Sequence, residues 1–268
     1  MKSTLGFLLG LMVASGACVA GESEWLEPET QMPFVRIAKG CFLMGTNIKS
    51  SDPDEELTYD KLGRRSQAQE DEVPQHEVCL GGFWMGRYEV RVRDWSRIMG
   101  GAGSPDDVRP INNVTWALAR EFAQRLSERT GERFRLPTEA EWEYACRAGA
   151  PADHVPLDRE MIGIAWHSRH EARKTAPQEV GQLRVNGFGL YDMLGNVWEW
   201  VEDDYVANGY TRHGLHDPVV KEVVPQKVMR GASFRTEPRQ TRCAVRGHLP
   251  NGKTMDSVGF RLVREAKE

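Results

Sequence analysis

Apolar residues fall in short segments along most of the chain, and two stretches alone have the spacing of an amphipathic helix. The apolar positions of the first stretch are Ala119, Phe122, Ala123 and Leu126. Their i, i+3, i+4, i+7 spacing places all four on one buried face of a helix. Thr115 can cap the start of this helix, and Gly131 can end it. A helix is therefore predicted between Thr115 and Gly131.

The second predicted helix starts at a capping box formed by Thr138 and Glu141. At this spacing the threonine oxygen and the glutamate carboxylate each satisfy a backbone amide that the helix end leaves free. The helix would turn Tyr144 and Cys146 toward the interior.

Alternating apolar residues predict short strands before and between these helices. Residues 33–37 and 41–44 alternate on both sides of a Lys39–Gly40 turn, which predicts a β-hairpin. Residues 76–90 read as two short strands separated by glycines, and beyond Gly149 few helix signals follow. We expect two helices, short strands and long irregular connections.

A polar stretch, residues 46–73, has few apolar anchors and is rich in charged residues and serine. A segment of this composition cannot bury enough apolar surface to pack as an element. It is predicted to be a long surface loop.

The first twenty residues have the layout of a secretory signal peptide. A single Lys2 precedes the uncharged, apolar residues 5–19, and this run is shorter than the roughly 20 residues that span a bilayer. We predict a signal peptide over residues 1–20, cleaved after Ala20, and one domain over residues 21–268 in the periplasm. Small residues before Cys18 leave a lipid anchor as an alternative, and membrane contact is expected only through such an anchor.

Charge and cysteine content narrow the class of protein. The net charge is −4, from 39 acidic and 35 basic residues, so there is no basic excess that would bind nucleic acid. The cysteines after residue 20 are Cys41, Cys79, Cys146 and Cys243. Because none has C-x-x-C spacing and their number is even, two disulfides are expected, with the pairing open and free buried thiols as the alternative.

Ordered sequence motifs extend over nearly the whole chain after the predicted signal peptide. They are residues 34–37 with 42–45, 72–78, 88–90, 110–116, 135–147, 186–200, 230–234 and 259–263. In this order and spacing the motifs resemble those of the formylglycine-generating-enzyme-like family, or sulfatase-modifying factors. The resemblance implies an α+β fold, a variant of the C-type-lectin-like architecture with little regular secondary structure.

The resemblance also implies a calcium site in residues 192–199. By likeness to the family, Asp192 and Glu199 would bind calcium through their side chains, and Gly195 and Val197 through carbonyl oxygens. Calcium suits such a turn because it takes six to eight oxygen ligands in flexible geometry. We expect one calcium ion that stabilises the turn, with simple capping by the two carboxylates as the alternative. The family's second calcium site is not expected, because basic residues stand in residues 165–174.

Two cysteines match positions that are disulfide-bonded to each other in the family, and these are Cys146 and Cys243. Cys41 and Cys79 are left as the second expected pair.

The cysteine pair that carries the family's chemistry is missing. True formylglycine generators oxidise a sulfatase cysteine with oxygen, and two cysteines shortly after the motif at 231–234 bind copper. Here residues 235–242 contain no cysteine, and Thr236 stands where the first would be. A hydroxyl cannot replace a thiolate as a copper(I) ligand, so we expect no copper and assign no catalytic residue. The histidine pairs His167 with His170 and His213 with His216 are not expected to bind a metal either, because neither lies in a convincing helix.

Two function classes remain. The first is a noncatalytic periplasmic regulatory or binding protein with a periplasmic or membrane-associated protein partner. The resemblance to periplasmic members of the family implies that such a protein acts upstream of a Ser/Thr-kinase phosphorylation switch of type VI secretion. The alternative is a noncanonical periplasmic oxidoreductase or maturation factor, as in the maturation of the pyoverdine siderophore chromophore. The residues of a candidate binding groove are Trp198, Ser233, Arg235 and Arg246.

Overall fold

The fold was analysed in a computed structural model. It describes residues 23–47, 69–101, 103–151, 158–170 and 175–266. The predicted signal peptide, Cys18 and most of the predicted loop at 46–73 lie outside these residues. Among the described residues, no helix is long and apolar enough to cross a membrane.

The helices are α1 (Val92–Met99), α2 (Trp116–Thr130), α3 (Glu139–Arg147) and the short α4 (Asp158–Met161). The predicted caps are confirmed: Thr115 accepts a hydrogen bond from the Leu118 amide at the start of α2, and Thr138 and Glu141 form the capping box of α3. Helix α1 was not predicted, because its buried residues are Asp94 and Ile98, which give no apolar periodicity.

Eleven short strands form three sheets in the described residues. The strands are β1 (Glu24–Leu26), β2 (Pro33–Ile37), β3 (Gly40–Met44), β4 (His76–Leu80), β5 (Phe83–Gly86), β6 (Phe134–Arg135), β7 (Trp198–Asp204), β8 (Gln226–Arg230), β9 (Arg246–Pro250), β10 (Val258–Phe260) and β11 (Val263–Glu265). The sheet orders are β1-β2-β5-β11-β6, β10-β7-β8-β9 and β3-β4. The predicted α+β class is confirmed.

The predicted hairpin between β2 and β3 is wrong. β2 pairs with β1 and β5, whereas β3 pairs with β4 in a separate sheet. In its sheet β2 lies between β1 and β5, so it has no free edge with which β3 could pair. Its side chains Val35 and Ile37 are buried. Alternation identified both strands, but it carries no information about their partners.

The aromatic residues of the family motifs form the core. Trp142, Trp200 and Phe260 are fully buried, as is Leu136, whereas Trp198 is only partly buried at the edge of the core. Each buried large side chain contributes on the order of 2–3 kcal/mol in transfer free energy, which accounts for its presence without a functional role.

Both expected disulfides are confirmed. Cys41 and Cys79 join β3 to β4, where they are direct cross-strand partners. Cys146 at the end of α3 bonds to Cys243, 97 residues further along the chain and shortly before β9. Disulfides of this kind are typical of exported proteins.

The end of the predicted surface loop is buried rather than exposed. Residues Glu70–Glu72 form a turn of 3-10 helix, and Asp71 and Glu72 are buried. Both carboxylate oxygens of Glu72 accept hydrogen bonds from Arg242, at 2.8 and 2.7 Å. A buried arginine partner far along the chain explains why composition alone gave the wrong answer here.

Candidate functional site

A group of buried charges lies beneath α3. Glu139 and Glu143 are four residues apart and therefore share one face of the helix. β8 ends at Arg230 and β9 begins at Arg246, and both side chains reach that face. We call these four residues, together with Arg147, the α3 ion network.

Every carboxylate of the α3 ion network has an arginine partner. Glu139 accepts hydrogen bonds from Arg230 and Arg246, each at 2.7 Å. Glu143 accepts from Arg147 at 2.6 Å and from Arg230 at 2.5 Å. The hydroxyl of Tyr210 lies 3.4 Å from both glutamates. The network is thus closed around Arg230, whose side chain is fully buried.

These contacts keep the two glutamates ionised. Burial acts to raise the pKa of Glu139, but the charges of Arg246 and Arg230 outweigh it and lower that pKa to about 2. Burial likewise opposes ionisation of Glu143, and the charges of Arg147 and Arg230 lower its pKa below the ordinary value. Carboxylates that are each paired with buried arginines indicate a structural role, although Nε of Arg230 has no hydrogen-bond partner among the described residues.

A second buried group, which we call the carboxylate cluster, contains Glu89, Asp192 and Glu199 with Arg261 as the associated cation. Glu199 lies on β7, and both its oxygens accept hydrogen bonds from Arg261, at 2.6 and 2.7 Å. The indole of Trp142 also donates to Glu199, at 2.7 Å. Arg261 further donates to the carbonyl oxygens of Gly86 and Tyr191, as expected for an arginine that holds irregular backbone.

Within the described ranges, no arginine is hydrogen-bonded to the other two carboxylates of the cluster. Glu89 accepts from the side chain of Asn196 at 2.7 Å and from the Val197 amide at 3.2 Å. Asp192 accepts from the Gly181 amide at 2.7 Å through Oδ2. Its Oδ1 is buried and has no hydrogen-bond partner among the described residues.

The surroundings of these two carboxylates disfavour their charged forms. Burial raises the pKa of Asp192 to about 6, and the nearby charge of Glu199 adds to this, against the Gly181 amide and Arg261. Burial, followed by the charges of Asp192 and Glu199, raises the pKa of Glu89 well above its ordinary value. Among the described residues, the cluster therefore contains more carboxyl groups than Arg261 can neutralise in their charged forms.

A calcium ion at the cluster would need several oxygen ligands that the protein leaves available. Oδ1 of Asp192 is buried and has no partner among the described residues, whereas both oxygens of Glu199 are bonded to Arg261. No three His, Cys, Asp or Glu side chains of the described residues already converge on a metal position, so carbonyl oxygens such as those of Gly195 and Val197 would have to complete the ligand set. Sequence reasoning missed Glu89, although it lies in the motif at 88–90.

The four predicted groove residues do not share an open surface. Ser233 and Arg246 are buried, and Arg246 is bonded to Glu139 within the α3 ion network. Trp198 is partly buried, and Arg235 is exposed in an ion pair with Asp256. The prediction that these four residues line a groove is therefore corrected. Of the four side chains, only Arg235 and part of Trp198 reach the surface.

The segment that follows Ser233 is held by hydroxyl and backbone contacts. The Ser233 amide donates to the hydroxyl of Thr236 at 3.1 Å, and the Thr236 carbonyl accepts from the Ser168 amide at 3.0 Å. The four cysteines of the described residues are all in disulfides. No thiol of the described residues is thus free to bind copper.

A cavity of about 340 Å³ lies between the Cys146–Cys243 disulfide and the carboxylate cluster. Its wall includes Leu190, Asp192 and Arg184. A cavity of this size is large enough for a small ligand.

Comparison with known proteins places the chain among formylglycine-generating enzymes and their relatives. It is 28% identical over 231 residues to the serine/threonine-protein kinase pkn1 of Chlamydia caviae, covering 75% of this chain and 36% of that protein. It is 32% identical over 183 residues to the formylglycine-generating enzyme of Mycobacterium tuberculosis, covering 58% of this chain and 57% of the enzyme. The chain thus spans from about a third to under two thirds of the length of these relatives.

The fold is also found in a solved structure, that of PvdO from Pseudomonas aeruginosa. It superimposes with a TM-score of 0.76 and 26% identity, covering 91% of this chain and 98% of PvdO. The likeness confirms the predicted variant of the C-type-lectin-like fold. Residues 22–266 match the profile of the sulfatase-modifying factor enzyme 1-like domain, and the chain belongs to that family.

Proposed function

We propose that this chain is an exported, noncatalytic regulatory or binding domain that retains the architecture of formylglycine-generating enzymes without their copper chemistry. One observation carries the proposal: Thr236 stands at the position of the first copper-binding cysteine, and all four described cysteines are in disulfides. Copper(I) requires soft ligands such as thiolates, which hydroxyl groups do not replace.

The proposed partner is a periplasmic or membrane-associated protein. Support comes from the pkn1 relative, in which a segment similar to this chain makes up about a third of a protein named as a serine/threonine kinase. A domain of this type is therefore compatible with kinase signalling. We place it upstream of a Ser/Thr-kinase phosphorylation switch of type VI secretion.

A calcium ion in the carboxylate cluster is part of this proposal. Asp192 and Glu199 would bind it through carboxylates, Gly195 and Val197 through carbonyl oxygens, and Glu89 would add negative charge nearby. Calcium there would hold the irregular turn before β7 in place. The role proposed for the ion is structural.

Two measurements test the proposal. The purified protein is incubated with copper, oxygen and a sulfatase-derived cysteine peptide, with the formylglycine-generating enzyme of M. tuberculosis as the positive control. We expect no aldehyde from this chain. Crosslinking and recovery from a periplasmic extract should then identify a membrane-associated signalling protein. Aldehyde formation, or one tightly bound copper ion per chain at residues 233–243, would contradict the proposal.

The alternative is a noncanonical oxidoreductase or maturation factor that acts on a siderophore chromophore. It is supported by the likeness to PvdO over nearly the whole of both chains. Incubation with a siderophore precursor separates the two functions. An oxidised chromophore formed in proportion to the amount of protein would favour the enzyme, and an unchanged precursor would dismiss it.

A further inference from the structure

Two histidines far apart in the sequence, His76 and His213, meet at the edge of the α3 ion network. His76 begins β4, and His213 follows a short 3-10 helix at Gly209–Arg212. Nε2 of His76 lies 3.0 Å from Nδ1 of His213, across 137 residues of sequence. The sequence had matched His213 with His216, but His216 lies beside Cys79 instead.

The orientation of His76 is fixed by a backbone contact. Its Nδ1 lies 2.9 Å from the carbonyl oxygen of Pro74, which can only accept a hydrogen bond. Nδ1 therefore carries the proton, and the lone pair of Nε2 points at His213. A hydrogen bond from one ring nitrogen to a carbonyl is the arrangement that orients metal-binding imidazoles in proteins.

The protonation of His213 follows from that of His76. With no ion present, Nδ1 of His213 must donate to His76, which leaves a lone pair on Nε2. That Nε2 is buried and has no hydrogen-bond partner among the described residues. An ion bound to Nε2 of His76 and Nδ1 of His213 would require the proton of His213 to move to its Nε2, which leaves a lone pair on each of the two nitrogens for the ion.

We propose that Nε2 of His76 and Nδ1 of His213 together bind one zinc ion. Zinc binds imidazole nitrogens at about 2.0–2.1 Å, so an ion bound to both nitrogens would lie beside the line that joins them, after a small turn of the two rings. Within the described ranges no third His, Cys, Asp or Glu converges on this position, and water would complete the coordination. The described cysteines, all in disulfides, do not compete for the ion.

Charges of both signs act on His213. Glu139 and Glu143 favour a cation there, whereas His76 and Arg246 oppose it. The ring of Tyr210 packs against both histidines, with centroids 5.1 and 5.2 Å away. Binding thus depends on the two imidazoles and not on net charge, and this site is separate from the carboxylate cluster.

The test is a zinc titration of tag-free protein by calorimetry, in buffer that contains calcium so that oxygen sites are filled. We expect one zinc ion per chain, with affinity lowered roughly tenfold or more in His76→Gln and in His213→Gln. The matched control is His216→Gln, an exposed histidine of the same segment, which should bind as the unmodified protein does. Cobalt(II) added in place of zinc gives an absorption band that should follow the same pattern.

Three results would overturn the proposal. The first is the absence of zinc binding by the unmodified protein at millimolar zinc, which would leave the pair as a hydrogen bond only. The second is unchanged affinity in both variants, and the third is an equal loss in His216→Gln. If the variants do not fold, proton NMR of the unmodified protein decides, since zinc should shift the imidazole signals of two histidines and leave the others in place.

Discussion

The α3 ion network and the carboxylate cluster are built from the same residue types but differ in balance. The network pairs two glutamates with three arginines, and every carboxylate oxygen has a donor. Among the described residues, the cluster sets three carboxylates against Arg261, and one oxygen of Asp192 has no hydrogen-bond partner. Trp142 lies between them, since its indole donates to Glu199 and its ring faces Arg230.

The difference between the two groups shows how the surroundings of a buried charged residue indicate the role of that residue. Where arginines compensate carboxylates, the pKa falls, as for Glu139 at about 2, and the group serves the fold. Where burial and like charges dominate, the pKa rises, as for Asp192 at about 6, and the charged form is disfavoured. Counting charges around each buried group thus separates a structural network from a candidate ion site.

The largest effect is expected from the disulfide that joins α3 to the segment before β9. Replacing Cys146 and Cys243 together by alanine should lower the free energy of unfolding by about 4–5 kcal/mol in the chain-entropy model. Urea denaturation measures this change. A loss below about 1 kcal/mol would mean that the ion network holds the two segments together without the covalent link.

Arg230→Met should lower the free energy of unfolding by about 3–5 kcal/mol, because it leaves Glu139 and Glu143 buried with one fewer partner each. Denaturation at neutral pH checks this. The matched control is Arg235→Met, which breaks an exposed pair with Asp256 and should cost less than about 1 kcal/mol. Equal losses in both variants would refute the distinction between the buried and the exposed pair.

Acid should weaken the network through Glu139. Its pKa is lower in the folded chain, about 2, than the ordinary 4.5, so its contribution is present above pH 4.5 and lost as the pH falls toward 2. The loss is on the order of 3 kcal/mol. Stability measured across this range should fall less steeply in Glu139→Gln than in the unmodified protein, and parallel curves would contradict the assignment.

Calcium should act on the cluster and not on the network. At a concentration a hundred times the dissociation constant, it should raise the free energy of unfolding by about 2.7 kcal/mol, and chelation should reverse this. Asp192→Asn should abolish the response, whereas Asp256→Asn, which alters an exposed carboxylate, should retain it. Thermal melts with and without calcium measure the effect, and a full response in Asp192→Asn would place the ion elsewhere.

Local features of the fold could be predicted from the sequence, and non-local ones could not. Thr115 and Thr138 were predicted as caps because a cap depends on a few neighbouring residues. The pairing of Cys146 with Cys243 followed from family resemblance alone. The partner of β3, the burial of Glu72 and the meeting of His76 with His213 depend on contacts across 38 to 170 residues of sequence, which no local pattern encodes.

The same holds for the candidate site. Asp192 and Glu199 were predicted because they lie in one motif. Glu89 was missed because it lies far away in the sequence: its hydrogen-bond partner, Asn196, is 107 residues further along the chain. The predicted groove failed because Arg246, polar in the sequence, is buried by its bond to Glu139. From sequence alone, a charged residue is predicted to be exposed. Its burial can be predicted only if its oppositely charged partner is known, and the fold determines which residue that is.

The separation between Glu139 and Arg246 has a consequence for biosynthesis. The two residues are 107 positions apart, so α3 leaves the ribosome long before the arginine that neutralises it. Until β8 and β9 are made, Glu139 lacks both of its arginine partners, Arg230 and Arg246, and the preceding part of the polypeptide cannot settle into its final form. A newly made chain therefore stays open to chaperones until its last strands are available, and C-terminal truncation is expected to leave no stable fragment.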